Sequence, residues 1–234
     1  MKTSLLSMLL ISLLAVGCLK DGKGSAEVKA GTDDEKTFYT LGQLESRRLS
    51  NFNLTDAELK VWFQGVKDGL AGKADEVDMQ EFSKEISKIS DARSKEIAKT
   101  EKEAAKAYIE KMKKEEGAET LETGVVFKVV NAGEGKSPKA EDTVKVHYHG
   151  TLRDGVVFDS SVDRGNPATF PLNRVIPCWT AAVQKMKIGG KAKVTCPSDQ
   201  AYGDRGAPPK IKPGATLTFD IELLEILDTP KKDS

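Results

Sequence analysis

The sequence predicts an α+β protein in two parts: an all-α N-terminal region with a long linking helix, then an antiparallel β-sheet wrapped around one short α-helix. Three observations carry this. From Val77 to Glu116 no Pro or Gly interrupts a run dominated by Lys and Glu, which is the pattern of a long exposed helix. Ahead of it, apolar residues recur at helical spacing in two short stretches. Beyond Gly117 the pattern changes to short segments of two-residue period, punctuated by Gly, Asp and Pro. Charged residues make up 31% of the 234 and aromatics 6%, as expected of a globular part diluted by a solvated one.

In chain order, Lys2 precedes an apolar run from Leu5 to Val16, too short to span a bilayer and of the length of a signal-peptide core. Ala15 and Gly17 flank Val16, and Cys18 follows. This resembles a bacterial lipobox, with Cys18 lipidated as the mature N-terminus; an ordinary cleaved signal with an incidental Cys is the alternative. Residues 1–17 are thus expected to be a signal peptide and residues 18–34 a flexible, Gly-, Lys- and Asp-rich tether. Phe38, Leu41, Leu44 and Leu49 form the stripe of a first helix, with Gly42 as a possible close-packing point. A capping signal at Asn53–Asp56 opens a second helix with Leu59, Trp62, Phe63 and Val66, ending near Gly69 or Gly72. Two such helices, over residues 35–75, bury too little to be stable alone. The connecting helix over residues 76–117 would run about 60 Å. Its first half carries Phe82, Ile86, Ile89 and Ile97 and looks like half of an interface. Its second half, supported by pairs such as Glu103–Lys106 and Glu110–Lys113, is expected to be a solvated rod.

The β region is expected over residues 118–228, with a disordered tail at 229–234. Strands are expected at Val125–Val130, Thr143–Leu152, Val156–Asp159, Lys191–Cys196 and Thr216–Leu227, with a helix at Thr180–Met186. Val144, Val146 and Tyr148 alternate with Lys145, His147 and His149, and Asp154-Gly155 is a hairpin turn signal. Asp159 follows Phe158 directly, so its carboxylate is either a turn former or the polar group of an apolar pocket. Ser160 and Ser161 could suggest a nucleophile or cap a turn. His147 and His149 share a strand face and could bind metal, or simply face solvent.

Several function classes are excluded. Lys+Arg and Asp+Glu number 36 each, which leaves no positive excess for nucleic-acid binding. Gly133-Glu134-Gly135-Lys136 lacks P-loop spacing and reads as a turn. No metal and no cofactor is expected, since no Cys or His stands at zinc-ligand spacing near Cys178 or Cys196. In an oxidising compartment those two cysteines could form a disulfide, or both could be buried free thiols.

Val146-His147-Tyr148, Gly150-Thr151, Asp154-Gly155, Phe158-Asp159-Ser160-Ser161, Val175-Ile176, Trp179, Ala201-Tyr202-Gly203 and Ala215-Thr216-Leu217 occur in order along the chain. In that order and spacing they resemble the FKBP family of peptidyl-prolyl cis-trans isomerases, roughly over Leu121–Asp228. The preceding helices resemble the N-terminal dimerisation region of the Mip and FkpA subfamily of bacterial homodimers. The resemblance implies a proline pocket lined by Tyr148, Phe158, Asp159, Phe170, Val175, Ile176, Trp179, Tyr202 and Phe219, with Ile211 contributing. It implies Trp179 as the floor, the Ile176 N–H as donor to a substrate carbonyl, and the Tyr202 hydroxyl as a second donor. Catalysis would rest on Asp159, Tyr202, Tyr148 and Phe158. Asp159 would be a buried acceptor that orients Tyr148 or meets the twisting carbonyl. Two departures stand on the rim: Ala207-Pro208-Pro209-Lys210, and Cys178 where Gly often precedes the Trp.

An isomerase of this kind needs no nucleophile or metal. A barrier of about 18–20 kcal/mol comes from amide resonance, and the twisted bond, having lost charge separation, is favoured by a dry apolar pocket. The expected partners are unfolded or partly folded proteins and X-Pro peptides, macrolide inhibitors of the family, a second copy of the chain, and a membrane through the lipid anchor only. The expected location is exported, as an outer-membrane lipoprotein facing the periplasm or cell surface. A dimeric chaperone or proline-binding module with incidental turnover is the alternative reading.

Overall fold

The computed structural model describes residues 30–73 and 77–227, without the side chain of Met79. The signal segment, Cys18, most of the tether and the C-terminal tail therefore lie outside the described residues. Of the described residues, 30–40 and those from Leu41 onward fall into two compact units.

Helix α1 spans Asp33–Leu49. Its start is capped reciprocally: Thr32 accepts from the Glu35 N–H at 3.2 Å, and the Glu35 carboxylate accepts from the Thr32 N–H at 2.9 Å. After a 3₁₀ turn over Ser50–Phe52, α2 runs Asp56–Leu70, opened by a capping box between Thr55 and Glu58. Helix α3 spans Met79–Lys113, with Asp78 accepting from the N–H groups of Gln80 and Glu81. Arg93 of α3 reaches back to the preceding turn, donating to the Phe52 carbonyl at 2.5 Å and pairing with Glu58.

The two halves of α3 differ, and one corrects the sequence reading. Phe82, Ile86 and Ile89 are exposed. In the second half, however, Ala98, Ala105 and Met112 are buried, and the Tyr108 hydroxyl lies 2.8 Å from that of Thr218. The rod is docked, not solvated. Its contact face is a file seven residues apart, Ala98, Ala105 and Met112, whose two alanines are too small to register as an apolar stripe. Close approach is possible because Gly214, at φ +77°, presents no side chain: a Cβ there would stand 2.6 Å from the Ala98 Cα.

Seven antiparallel strands form one sheet: β1 Ala118–Thr120, β2 Val126–Asn131, β3 Thr143–Leu152, β4 Val157–Ser160, β5 Ala168–Pro171, β6 Lys191–Cys196 and β7 Leu217–Leu227. The order is β1-β2-β6-β7-β3-β4, and β5 also pairs with β3. Along β3, Val144, Val146, Tyr148 and Gly150 are buried while their neighbours are partly exposed, the alternation expected of a sheet covered on one face. Strands β1 and β5 were not expected: each is very short, and β5 ends in Pro. The short helix α4 is Pro177–Val183, three residues earlier than expected, with Pro177 at its first turn. Its buried residues Trp179, Ala182 and Val183 pack into a core with Val144, Val194, Leu217 and Leu223.

Candidate active site

Trp179 is the centre of the site. As the third residue of α4 it is driven onto the sheet by the burial of that helix, and its indole is nearly inaccessible. Three rings meet it edge-on: Tyr148 from β3 at 5.4 Å, Phe170 from β5 at 5.6 Å and Phe219 from β7 at 5.3 Å, all within 7° of perpendicular. Perpendicular ring contacts of this kind add to burial energy. Phe158 of β4 stands perpendicular to Phe219 at 5.5 Å. The register explains the convergence, since Gly150 pairs with Phe219 on one side and Asp159 on the other.

These rings enclose a cavity of about 470 Å³. Asp159, Val175, Ile176, Tyr202 and Arg174 complete its lining. Ile176 is the N-cap of α4; its carbonyl accepts from Trp179 and Thr180, while its N–H has no partner among the described residues. The Trp179 Nε1–H is also buried without a partner among them.

One edge of the cavity is polar. The Tyr148 hydroxyl donates to Asp159, and Arg164 pairs with the same carboxylate. The Arg164 Nη2 also donates to the Tyr148 oxygen at 2.9 Å, with the guanidinium 5.6 Å from the Tyr148 ring centre. The Asp159 side chain is 44% exposed, so it is not the buried acceptor expected: it lies at the rim, on the edge strand β4. Burial works to raise its pKa, but the hydrogen bonds from Tyr148 and Arg164 and the Arg164 charge outweigh this and hold it below the usual carboxylate value. The Tyr148 hydroxyl is pushed up, first by burial and then by the adjacent carboxylate.

One expected feature goes elsewhere. Ile211 does not line this cavity. The loop folds back through paired backbone hydrogen bonds between Ala207 and Ile211, and Ile211 lines a second cavity of about 400 Å³ with Ile97 and Thr100 of α3. Ser160 and Ser161 are buried, so neither presents a nucleophile to a substrate, and Ser160 caps a turn by accepting from the Asp163 N–H at 3.0 Å. Their hydroxyls also meet the His149 and His147 Nδ1 atoms at 3.0 and 3.1 Å, and the Ser161 oxygen accepts from the Tyr148 N–H at 2.8 Å. Cys178 and Cys196 are joined by a disulfide, Cα atoms 5.7 Å apart, linking the helix under the pocket to β6. On the rim, Lys210 donates to the Phe158 carbonyl at 2.8 Å.

A family model described as FKBP-type peptidyl-prolyl cis-trans isomerase matches residues 134–224. A second, described as the domain amino terminal to FKBP-type peptidyl-prolyl isomerase, matches residues 34–129. The chain is 39% identical to the FKBP-type peptidyl-prolyl cis-trans isomerase FkpA of Aeromonas hydrophila, over 97% of its own length and 94% of that protein. It belongs to the FKBP-type peptidyl-prolyl cis-trans isomerases. Peptidyl-prolyl cis-trans isomerase Mip of Coxiella burnetii is 32% identical over 93% of this chain and 97% of its own. The crystal structure of FkpA from Escherichia coli matches at a TM-score of 0.62 and 38% identity, covering 85% of this chain and 99% of that one.

In this FKBP-type isomerase the aromatic set lining the cavity is the one the resemblance implied, and two cations, Arg164 and Arg174, were not expected. Arg164 follows Asp159 by five residues, and a turn closed by Gly165 returns it over the carboxylate. The one available signal was an Arg at turn distance from an acid at a strand end. Arg174, at the close of the 3₁₀ turn Leu172–Arg174, carried no signal of its own.

Proposed function

We propose that this FKBP-type isomerase rotates X-Pro bonds by seating the proline ring on Trp179 between Tyr148, Phe170 and Phe219. The single observation that carries the assignment of roles is the perpendicular aromatic cage around a nearly inaccessible indole, open on one polar edge. A planar X-Pro amide is polar through resonance, and the twisted form is less so. Walls without hydrogen-bonding groups leave the planar form less solvated than in water and so lower the rotational barrier. The Ile176 N–H would donate to a substrate carbonyl, and Tyr202 at the mouth would donate from its hydroxyl. Asp159 acts through position: it fixes the Tyr148 hydroxyl and, with Arg164, keeps a local field beside the rotating bond.

We further propose that the chain is exported, lipidated on Cys18 and dimeric, acting on unfolded or partly folded proteins. The apolar faces of α1, α2 and the first half of α3 support dimerisation: Phe38, Leu41, Phe63, Leu70, Phe82 and Ile86 are all exposed, more apolar surface than a free helix keeps in water. Residues 35–75 would be the dimerisation domain, 76–117 the connecting helix and 118–228 the isomerase domain. A dimer would bring two pockets to one client and raise effective concentration. Cys18→Ser should move the protein from the membrane fraction to the soluble one.

The experiment is a paired measurement of proline-peptide isomerisation and suppression of client aggregation, for wild type, Asp159→Ala and Tyr202→Phe. Each substitution should lower kcat/KM about tenfold, equivalent to about 1.4 kcal/mol of transition-state stabilisation. Unchanged rates in both variants would overturn the assigned roles. Aggregation suppression that survives them would assign client holding to the exposed helical faces.

A further inference from the structure

We propose that α3 is part of the isomerase site, with Lys102 as a positioning residue for Tyr202. The inference rests on the reading of Tyr202 as a substrate-facing donor and asks what holds it in place. Tyr202 lines the cavity mouth, 41% exposed. Its ring makes no aromatic contact and its hydroxyl no hydrogen bond among the described residues. Its direction is therefore set by its backbone, which lies between two 3₁₀ turns, Ser198–Gln200 and Gly203–Arg205.

Those turns are held from outside the β domain. The Lys102 ammonium lies 2.8 Å from Asp199 and 2.8 Å from Asp204, three residues before and two after Tyr202. One cation thus joins two carboxylates that would otherwise repel each other across the tyrosine. The same segment is fixed a second time. The Gly214 N–H donates to the Gly203 carbonyl at 2.9 Å, and Gly214 is seated directly on the Ala98 backbone of α3. A third attachment, Arg153 to Glu101 at 2.7 Å, ties α3 to the β3–β4 hairpin beyond Gly150. Helix, loop and hairpin therefore share one frame around the mouth.

The Lys102 side chain is 36% exposed and its partners more so. A bridge of that kind contributes little to global stability, yet it selects one geometry for a short segment, and misplacement by a fraction of an ångström is costly to rate. This separates a positioning role from a merely structural one. In the full-length protein, Lys102→Ala should lower kcat/KM for a proline peptide about fivefold while leaving the melting temperature close to wild type, and Lys102→Arg should restore the rate. In the Tyr202→Phe background, Lys102→Ala should have no further effect. Multiplying effects in the double variant, or an unchanged rate in Lys102→Ala, would overturn the inference. A silent Tyr202→Phe would instead overturn the reading of Tyr202 on which it rests.

Discussion

Asp159 accepts from Tyr148 and from Arg164 at once, and that arrangement decides how the site responds to pH. The Asp159 pKa is held below its usual 3.8 and the Tyr148 pKa above its usual 10.0. Neither group changes charge between about pH 5 and pH 8, so kcat/KM should be flat across that window; a bell-shaped profile within it would contradict a non-covalent mechanism. Since folding lowers the Asp159 pKa, the stability it contributes is present above pH 3.8 and lost as pH falls through the lower folded value. Arg164→Leu removes the cation, leaving mainly the Tyr148 hydrogen bond to oppose burial; the acid limb of kcat/KM should then move to higher pH, and the plateau should fall by about five- to tenfold. Gly150 is constrained in another way. A Cβ there would lie 2.7 Å from the Phe158 Cζ and 3.1 Å from the Phe219 Cε1, so Gly150→Ala should displace both rings and raise KM for proline peptides. Tyr148, Phe158, Trp179 and Tyr202 were legible because each stands in a motif of the chain, whereas Phe170 and Phe219 followed only from the family resemblance. Arg164 was not, because its contact depends on a turn that brings a side chain back over its own strand. Ile211 was misplaced because its direction is set by a loop that no periodicity describes.

Elements with strong periodicity were legible, and those defined by their partners were not. Strands β3, β6 and β7 and helix α2 follow from alternation, turn residues and a cap. Strands β1 and β5 exist only through pairing with β2 and β3. The docked half of α3 shows why a Lys/Glu-rich helix can mislead: what matters is a pair of small buried residues, Ala98 and Ala105, with Ala98 seated against Gly214 of the sheet domain. Ala105→Glu would bury an unpaired charge against the sheet and should cost about 3 kcal/mol or more, measured as a drop in melting temperature. Nearer the N-terminus, Arg93 hydrogen bonding, assisted by the Thr55 N–H and hydroxyl, lowers the Glu58 pKa from 4.5 to about 2. The Arg93–Glu58 attachment of α2 to α3 should weaken as pH falls from 4.5 toward 2, and Glu58→Gln should abolish that dependence in a pH series of helical circular dichroism. If the exposed faces of the first helices form the dimer, removing residues up to Lys73 should leave a monomer that still turns over small peptides; sedimentation of the truncated protein as a dimer would relocate the interface.

At the scale of the whole molecule, the division of labour was readable in composition: a charge-rich helical arm, then a compact sheet with nearly all the aromatic ring contacts. The intimacy of the two parts was not. The arm enters the isomerase domain at Ala98, Glu101, Lys102 and Tyr108, so cutting at a boundary drawn from charge alone would leave Asp199, Asp204, Arg153 and Thr218 without their α3 partners. The Cys178–Cys196 bond closes a separation of 18 residues, and removing it should cost about 3 kcal/mol by chain entropy, seen as an earlier urea midpoint. Both cysteines are fully inaccessible in the folded protein, and thiol exchange requires contact between the sulfurs. The bond must therefore be made while the chain is still open, and once made it is sealed. It records the chemistry of the place where the polypeptide was born into its fold, whatever surroundings the finished enzyme later meets.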